Sequence, residues 1–319
     1  MLKRPRRNRL SATTRSLVQE TVLQFSDLVA PFFVVEGEKK REALATMPGI
    51  ECLSPDELLK DVEKLHRRGI PGVALFPIVS KETKDSHGTA ALDSQGAIPL
   101  AIRLLKKELP SLTLFADVAL DPFTTHGHDG VLSEGDVDND ATVAILEKMA
   151  LLHASCGVDF VAPSDMMDGR VGAIRRLLDK EGFVHTGILS YTAKYASSLY
   201  GPYRDALSSH VQVGDKKSYQ MNPANCREAL REARLDEEEG ADILMVKPAL
   251  FYLDIIRGLR EATDLPLAAF HVSGEYAMVM AAHEKGFVDA DKVFLEALTS
   301  IKRAGADFII TYAAARMRL

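Results

Sequence analysis

Short apolar runs recur along the chain, and the stretches between them return an apolar residue every three or four positions. Such runs read as strands covered on both faces, and the intervening stretches as helices with one apolar side. Strands are predicted at residues 27–35 (DLVAPFFVV), 72–79 (GVALFPIV), 112–120 (LTLFADVAL), 159–163, 184–190, 241–248 (ADILMVKP), 265–271 and 306–312 (ADFIITY). Helices are predicted at 55–68, 97–109, 139–155, 170–180, 223–239, 252–262, 274–285 and 291–304. Ser54-Pro55-Asp56-Glu57 supplies a cap, a proline at the first helical position and acids in the first turn, and Asn222-Pro223 repeats the cap and the proline. Gly69, Gly157 and Gly182 mark helix ends.

Strand followed by helix, repeated without a break in composition, predicts an α/β fold: a single (β/α)8 TIM barrel over residues 27–319. The segments GVDFVAPS, GADILMVKP and GADFIITY echo one another, each with a glycine before a strand and a polar residue after it. An open doubly wound sheet is the other way to arrange such units. It calls for a glycine-rich phosphate loop after an early strand, which this sequence lacks. Residues 1–26 stand apart as an extended N-terminal arm, with the basic run Arg4-Pro5-Arg6-Arg7-Asn8-Arg9 and a short helix reaching toward Gln24.

Composition narrows the function. With 319 residues, 46% of them hydrophobic, the chain can bury a large core, and a net charge of −6 gives no general pull toward nucleic acid or anionic membrane. No apolar run is long enough to cross a bilayer. Cys52, Cys156 and Cys226 are scattered and odd in number, which argues for a reducing cytoplasm and against a disulfide framework or a thiolate metal site. On an acidic chain without aromatic interleaving, the basic arm is expected to dock on another subunit of a homo-oligomer rather than on nucleic acid.

In this fold chemistry gathers where the strands finish. Lys247 closes the run Ile243–Val246, so it stands half in an apolar wall and half in a pocket. Burial lowers an amine's pKa and leaves more of the neutral nucleophile, which suits Schiff-base chemistry with a carbonyl. A single such lysine more often snorkels into water. A second one, Lys194, follows the fifth strand, and close cations depress one another's proton affinity. Other strand ends offer Asp117, Asp121, His126, His128, Asp129, Ser164, Asp165, His271, Ser273, Thr311 and Tyr312. Residues 191–220 are long for a loop and read as a lid, with Arg204, Lys216 and Lys217 suited to a substrate carboxylate. His126-Gly127-His128 is a weak metal motif, and the acidic residues from Asp121 to Asp140 read mainly as a solvated loop with some capacity for Mg²⁺.

Several stretches resemble the porphobilinogen synthase (5-aminolevulinate dehydratase) family: DVALDPFTTHGHDG at 117–130, SYTAKYASSLYGPYR at 190–204, GDKKSYQMNP at 214–223, MVKP at 245–248, HVSGEY at 271–276 and the terminal ITY at 310–312. The resemblance covers nearly the whole chain. It implies condensation of two 5-aminolevulinate molecules to porphobilinogen with loss of two waters. It implies that Lys247 forms the Schiff base with the substrate that becomes the propionate side, and that Lys194 serves the other. Arg204 and Lys216, with Gln220 nearby, would hold one substrate carboxylate, and Ser273 and Tyr312 the other. Zinc-dependent members carry three cysteines where this chain has Ala119, Asp121 and Asp129. That implies Mg²⁺ rather than an active-site zinc, with Glu232 at an allosteric Mg²⁺ site on a subunit interface. Asp117, Asp121 and Asp129 are then candidate active-site acids. The arm implies a homo-octamer built from dimers. Another Schiff-base barrel, a class I aldolase, would account for one lysine but not for the second or for the basic lid. A barrel using its arm on nucleic acid would account for neither.

Overall fold

The computed structural model describes residues 1–212 and 214–319; Val213, which falls within the expected lid, lies outside them. Eight parallel strands form the barrel: β1 (Leu28–Val35), β2 (Gly72–Ile78), β3 (Thr113–Val118), β4 (Phe160–Pro163), β5 (Gly187–Lys194), β6 (Ile243–Lys247), β7 (Leu267–His271) and β8 (Phe308–Thr311). Each pairs with the next, and β8 returns to β1 through Leu28↔Ile309 and Val29↔Ile310, which closes the ring. Closure removes both sheet edges and leaves every strand buried on two faces, which is why the runs are apolar rather than alternating.

The surrounding helices are α1 (Pro55–Arg67), α2 (Ala97–Glu108), α3 (Asn139–Ser155), α4 (Arg170–Lys180), α5 (Arg227–Glu238), α6 (Leu253–Ala262), α7 (Ser273–Glu284) and α8 (Ala290–Ala304). Strand and helix alternate through β6. Among the described residues β7 is followed by two helices, and β8 by the short turn Tyr312–Ala315. The glycines of the sequence echo share one conformation: Gly157, Gly240 and Gly305 all take positive φ after a helix, a region closed to most side chains.

Aromatic rings fill the barrel. Phe115 stacks on Phe160 at 5.0 Å and on Phe308 at 5.8 Å, near the beginnings of β4 and β8. These rings fill space at that end, and the lysine cavity opens where the strands finish.

The structure departs from the expected elements in several places. The fifth strand runs over Gly187–Lys194, not 184–190, because Tyr191-Thr192-Ala193-Lys194 continues the ladder with β6 through Val246↔Ala193 and Lys247↔Lys194. The helix expected from residue 223 begins at Arg227, because the Asn222 side chain accepts from the Ala224 amide and caps a turn instead. The arm helix is only Ala12–Leu17, with no buried residue to extend it. A strand pair at Arg41–Ala43 and Glu51–Leu53, the second beside β1 through Phe33↔Cys52, had no signal in the apolar pattern.

Candidate active site

β5 and β6 end side by side, and Lys194 and Lys247 are direct partners across that pair. Both side chains turn inward: Lys194 is 6% exposed and Lys247 5%. Their nitrogens lie over the same ring, 5.9 Å and 4.9 Å from the centre of Tyr191. Two amines thus line one small cavity of about 20 Å³, shared with Asp121, Asp129, Ser164, Tyr200, Tyr203, Arg204, Lys216 and Gln220.

Lys247 sits in a cage of rings. Phe270, Tyr203 and Tyr200 lie 4.6, 5.2 and 5.3 Å from its nitrogen, in addition to Tyr191. Ring faces favour an ammonium by about 0.5–2 kcal/mol, far less than the hydration lost. No hydrogen-bond acceptor reaches this nitrogen among the described residues. Burial, followed by the charge of Lys194, pushes Lys247 down to about 7 against the pull of Asp117, Asp121 and Asp129. The backbone of Lys247 is held firmly, its carbonyl accepting from the Tyr195 amide at 2.9 Å and the Tyr200 hydroxyl at 3.2 Å.

The other side of the cavity is ionic. Lys194 donates to the Ser164 carbonyl and lies 3.6 Å from Asp129. Lys216, reaching in from the lid, lies 3.0 Å from Asp129 and 3.5 Å from Asp121, and Gln220 Nε2 donates to Asp129 at 3.4 Å. Opposite charges about 4 Å apart attract by about 4 kcal/mol at an effective dielectric of 20. Burial pushes the Asp129 carboxyl up, but Lys194 and Lys216 more than reverse it and hold it below the ordinary carboxylate range. Lys216 is raised, because Asp121 and Asp129 outweigh its own burial. Asp117 stands apart: neither of its oxygens meets a donor in hydrogen-bond geometry among the described residues, and burial, with Asp121 adding to it, pushes it up to about 7.

The lid is folded down. Its short helix Gly201–Leu207 carries Tyr203, whose ring meets Phe33 and Phe76 at 5.8 and 5.7 Å. The Tyr203 amide donates to Ser273 Oγ at 3.1 Å, and Ser273 donates to the Leu199 carbonyl at 3.4 Å. Tyr312 stacks on Phe33 at 5.8 Å, and its buried hydroxyl has no partner among the described residues. Arg204 lies over the Tyr200 ring at 5.8 Å and faces both the lysine cavity and an outer cleft shared with Lys217 and His210.

His126-Gly127-His128 turns out to be the sill under this lid. His126 uses both ring nitrogens, Nε2 toward the Ser86 carbonyl at 3.1 Å and Nδ1 toward the His128 amide at 3.2 Å. Gly127, at φ +75°, lies where a Cβ would meet the His210 carbonyl at 2.7 Å, so only glycine lets the chain of the lid come this close. Among the described residues no group of three or more His, Cys, Asp or Glu is arranged to hold a metal ion. Ala119 offers no ligand atom, and an ammonium already lies between Asp121 and Asp129. Glu232 is not part of the lysine cavity. It lines a separate cleft with Asp136, Asp168, Ser218 and Glu228. Burial, followed by Asp236, pushes its carboxyl up, while Arg170 opposes.

The structure therefore brings Lys194, Lys247, Asp121, Asp129, Lys216, Gln220 and Arg204 around one space, with Asp117, Ser273 and Tyr312 packed around its walls. Sequence reasoning missed the ring cage. The tyrosines of 191–203 were visible, but nothing in their spacing tied them to Phe270.

A sequence profile of the delta-aminolevulinic acid dehydratase family matches residues 2–318. The chain is 54% identical to the delta-aminolevulinic acid dehydratase of Chlamydia pneumoniae, covering 98% of this chain and 94% of that protein. It is 52% identical to the chloroplastic enzyme of Glycine max over 98% of this chain and 76% of the relative. Among solved structures it is similar to delta-aminolevulinic acid dehydratase (porphobilinogen synthase) from Toxoplasma gondii ME49 in complex with the reaction product porphobilinogen. The TM-score is 0.97 at 50% identity, covering 99% of this chain and 90% of that one.

Proposed function

The chain belongs to the delta-aminolevulinic acid dehydratase family, and from that premise we infer that its lysine pair condenses two 5-aminolevulinate molecules to porphobilinogen with loss of two waters. The observation that carries the residue assignment is the partnership of Lys194 and Lys247 across β5 and β6 in one cavity, with Lys247 near neutrality.

A neutral Lys247 amine attacks the keto carbon of one substrate and, as water leaves, becomes its Schiff base; this substrate becomes the propionate side. Lys194 binds or activates the second ketone. The cage excludes water, which favours both the imine and the positioning of one substrate against the other. Asp117, poised near 7 beside the lysines, is placed to take and return protons as amines and imines interconvert. Arg204 and Lys216, with Gln220, receive one substrate carboxylate, and Ser273 and Tyr312 the other. Substrates displace contacts already present: Lys216 leaves Asp121 or Asp129, and Ser273 leaves the Tyr203 amide. Borohydride reduction with labelled 5-aminolevulinate should fix label on Lys247. Label found only elsewhere would end this assignment.

We read the chain as zinc-independent and Mg²⁺-responsive. Support comes from Ala119, Asp121 and Asp129 at the positions of the family's cysteines, and from the surplus of carboxylates around Glu232. Glu232, at a subunit interface, would be this chain's ligand to the ion, which would neutralise charge there and act allosterically. A product assay with and without chelator tests this. The exposed arm supports a homo-octamer built from dimers: Pro5–Arg9 and Ala12–Leu17 bury no residue on their own barrel, and Leu10 and Leu17 are 73% and 81% exposed. Deleting residues 1–20 should reduce the assembled size without creating salt-dependent nucleic-acid effects. Three unpaired cysteines support a cytoplasmic location, and no helix among the described residues is long and apolar enough to cross a membrane.

A further inference from the structure

We propose that Lys84 is a positioning residue for the condensation: it reaches from the barrel rim to the end of the lid helix and sets how firmly the lid stays shut over the lysine pair. The proposal deepens the reading of the site given above and rests on it.

Lys84 lies between β2 and α2, on a rim that cannot easily move. Next to it the Asp85 amide donates to the Phe123 carbonyl at 3.2 Å and the Thr125 amide to the Asp85 carbonyl at 2.9 Å. The Asp85 side chain in turn accepts from the amides of His87 and Thr89. From this platform the Lys84 ammonium crosses to the lid and donates to the carbonyls of Leu207 at 2.8 Å and Ser208 at 3.2 Å. These are the closing carbonyls of helix Gly201–Leu207. A helix end leaves such groups without partners and carries partial negative charge, which favours a cation there. The Lys84 side chain is half-buried in this contact; burial lowers its pKa, and Asp121 opposes that.

Lys216 crosses the same boundary in the opposite direction, from the lid down to Asp121 and Asp129. The two lysines interlock, but they differ in availability. Lys216 must turn to a substrate carboxylate during the reaction, and Ser273, which holds the Tyr203 amide, must turn to the other. Lys84 binds main-chain carbonyls that no substrate competes for. It is therefore the charged clasp that remains when the other two let go. The lid has to lift for substrates to enter, because both catalytic amines are almost fully buried beneath it.

The test compares the full chain with Lys84→Met and Lys84→Arg, measuring amide hydrogen exchange over residues 201–209 and steady-state kinetics with 5-aminolevulinate. Hydrogen bonds from a charged group correspond to about a tenfold shift in the open population or more. In Lys84→Met, lid exchange should quicken about tenfold while the barrel strands keep their protection. KM should rise about tenfold with kcat within about twofold, as expected for loss of closed-state population. Lys84→Arg, which keeps the cation, should restore most of both. Unchanged lid exchange overturns the proposal, and so does faster exchange spread over the strands, a fall in kcat alone, or failure of Lys84→Met to fold. Lid exchange is read without turnover, so its outcome stays separate from the borohydride result at Lys247.

Discussion

Lys247 and Lys216 are each 5% exposed in the same cavity, yet their proton affinities move in opposite directions. Lys247 is surrounded by rings and meets no acceptor among the described residues; Lys216 lies against two carboxylates. The loss of hydration is shared, so what separates them is the company each keeps. In the proposed reaction the first is the nucleophile near neutral pH and the second the fixed cation for a carboxylate. A site that needs both kinds of amine obtains them by sorting oxygens to one side and aromatic carbon to the other.

The largest expected effect comes from removing the nucleophile. Lys247→Met should cut turnover by roughly 10⁴-fold or more and abolish the borohydride adduct; substantial activity in that variant would assign the chemistry to Lys194 alone. Next, Asp129→Asn takes the shared counter-charge from Lys194 and Lys216. Breaking a buried ionic cluster at one member costs about 3–5 kcal/mol, read as a lower urea midpoint. Lys216 should then titrate lower, which narrows the contrast while Asp121 still faces it.

A smaller effect concerns pH. The folded value of Lys247, about 7, lies below its ordinary 10.5. Between those values the unfolded chain holds a proton that the fold expels, so this group's contribution to stability rises with pH across that window, by up to about 1.4 kcal/mol per unit. Urea unfolding at pH 7 and pH 9 should show a flatter pH slope for Lys247→Met than for the parent chain, and kcat/KM of the parent should fall on the acid side near pH 7. Smallest, Gln220→Leu removes a neutral amide contact to Asp129 worth about 0.5–1.5 kcal/mol. KM should rise severalfold with kcat nearly unchanged.

Much of the fold was legible because a closed parallel barrel writes each strand as an unbroken apolar run. α3 and α4 fall at their expected residues, and Lys247 ends β6 as its sequence suggested. The end of β5 was not legible. Tyr191–Lys194 is a mixed polar and aromatic segment, and only its pairing with β6 makes it a strand. Asn222-Pro223 misled for a related reason: the same cap serves a turn or a helix, and packing decides which. In the site, the charged residues announced themselves by type and position. The ring cage and the clasp at Lys84 did not, since each joins segments far apart in the chain through contacts that leave no local pattern.

The two amines are anchored opposite one another on adjacent strands of one hydrogen-bonded ladder, where strands lie about 4.8 Å apart. In the proposed reaction the reach between the two substrate carbons is therefore set from the sheet, as the marks of a ruler are set by its blank. Loops and lid can drift over evolutionary time, altering which acids enter and how fast they leave, while the gauge for the bond being made stays as it is.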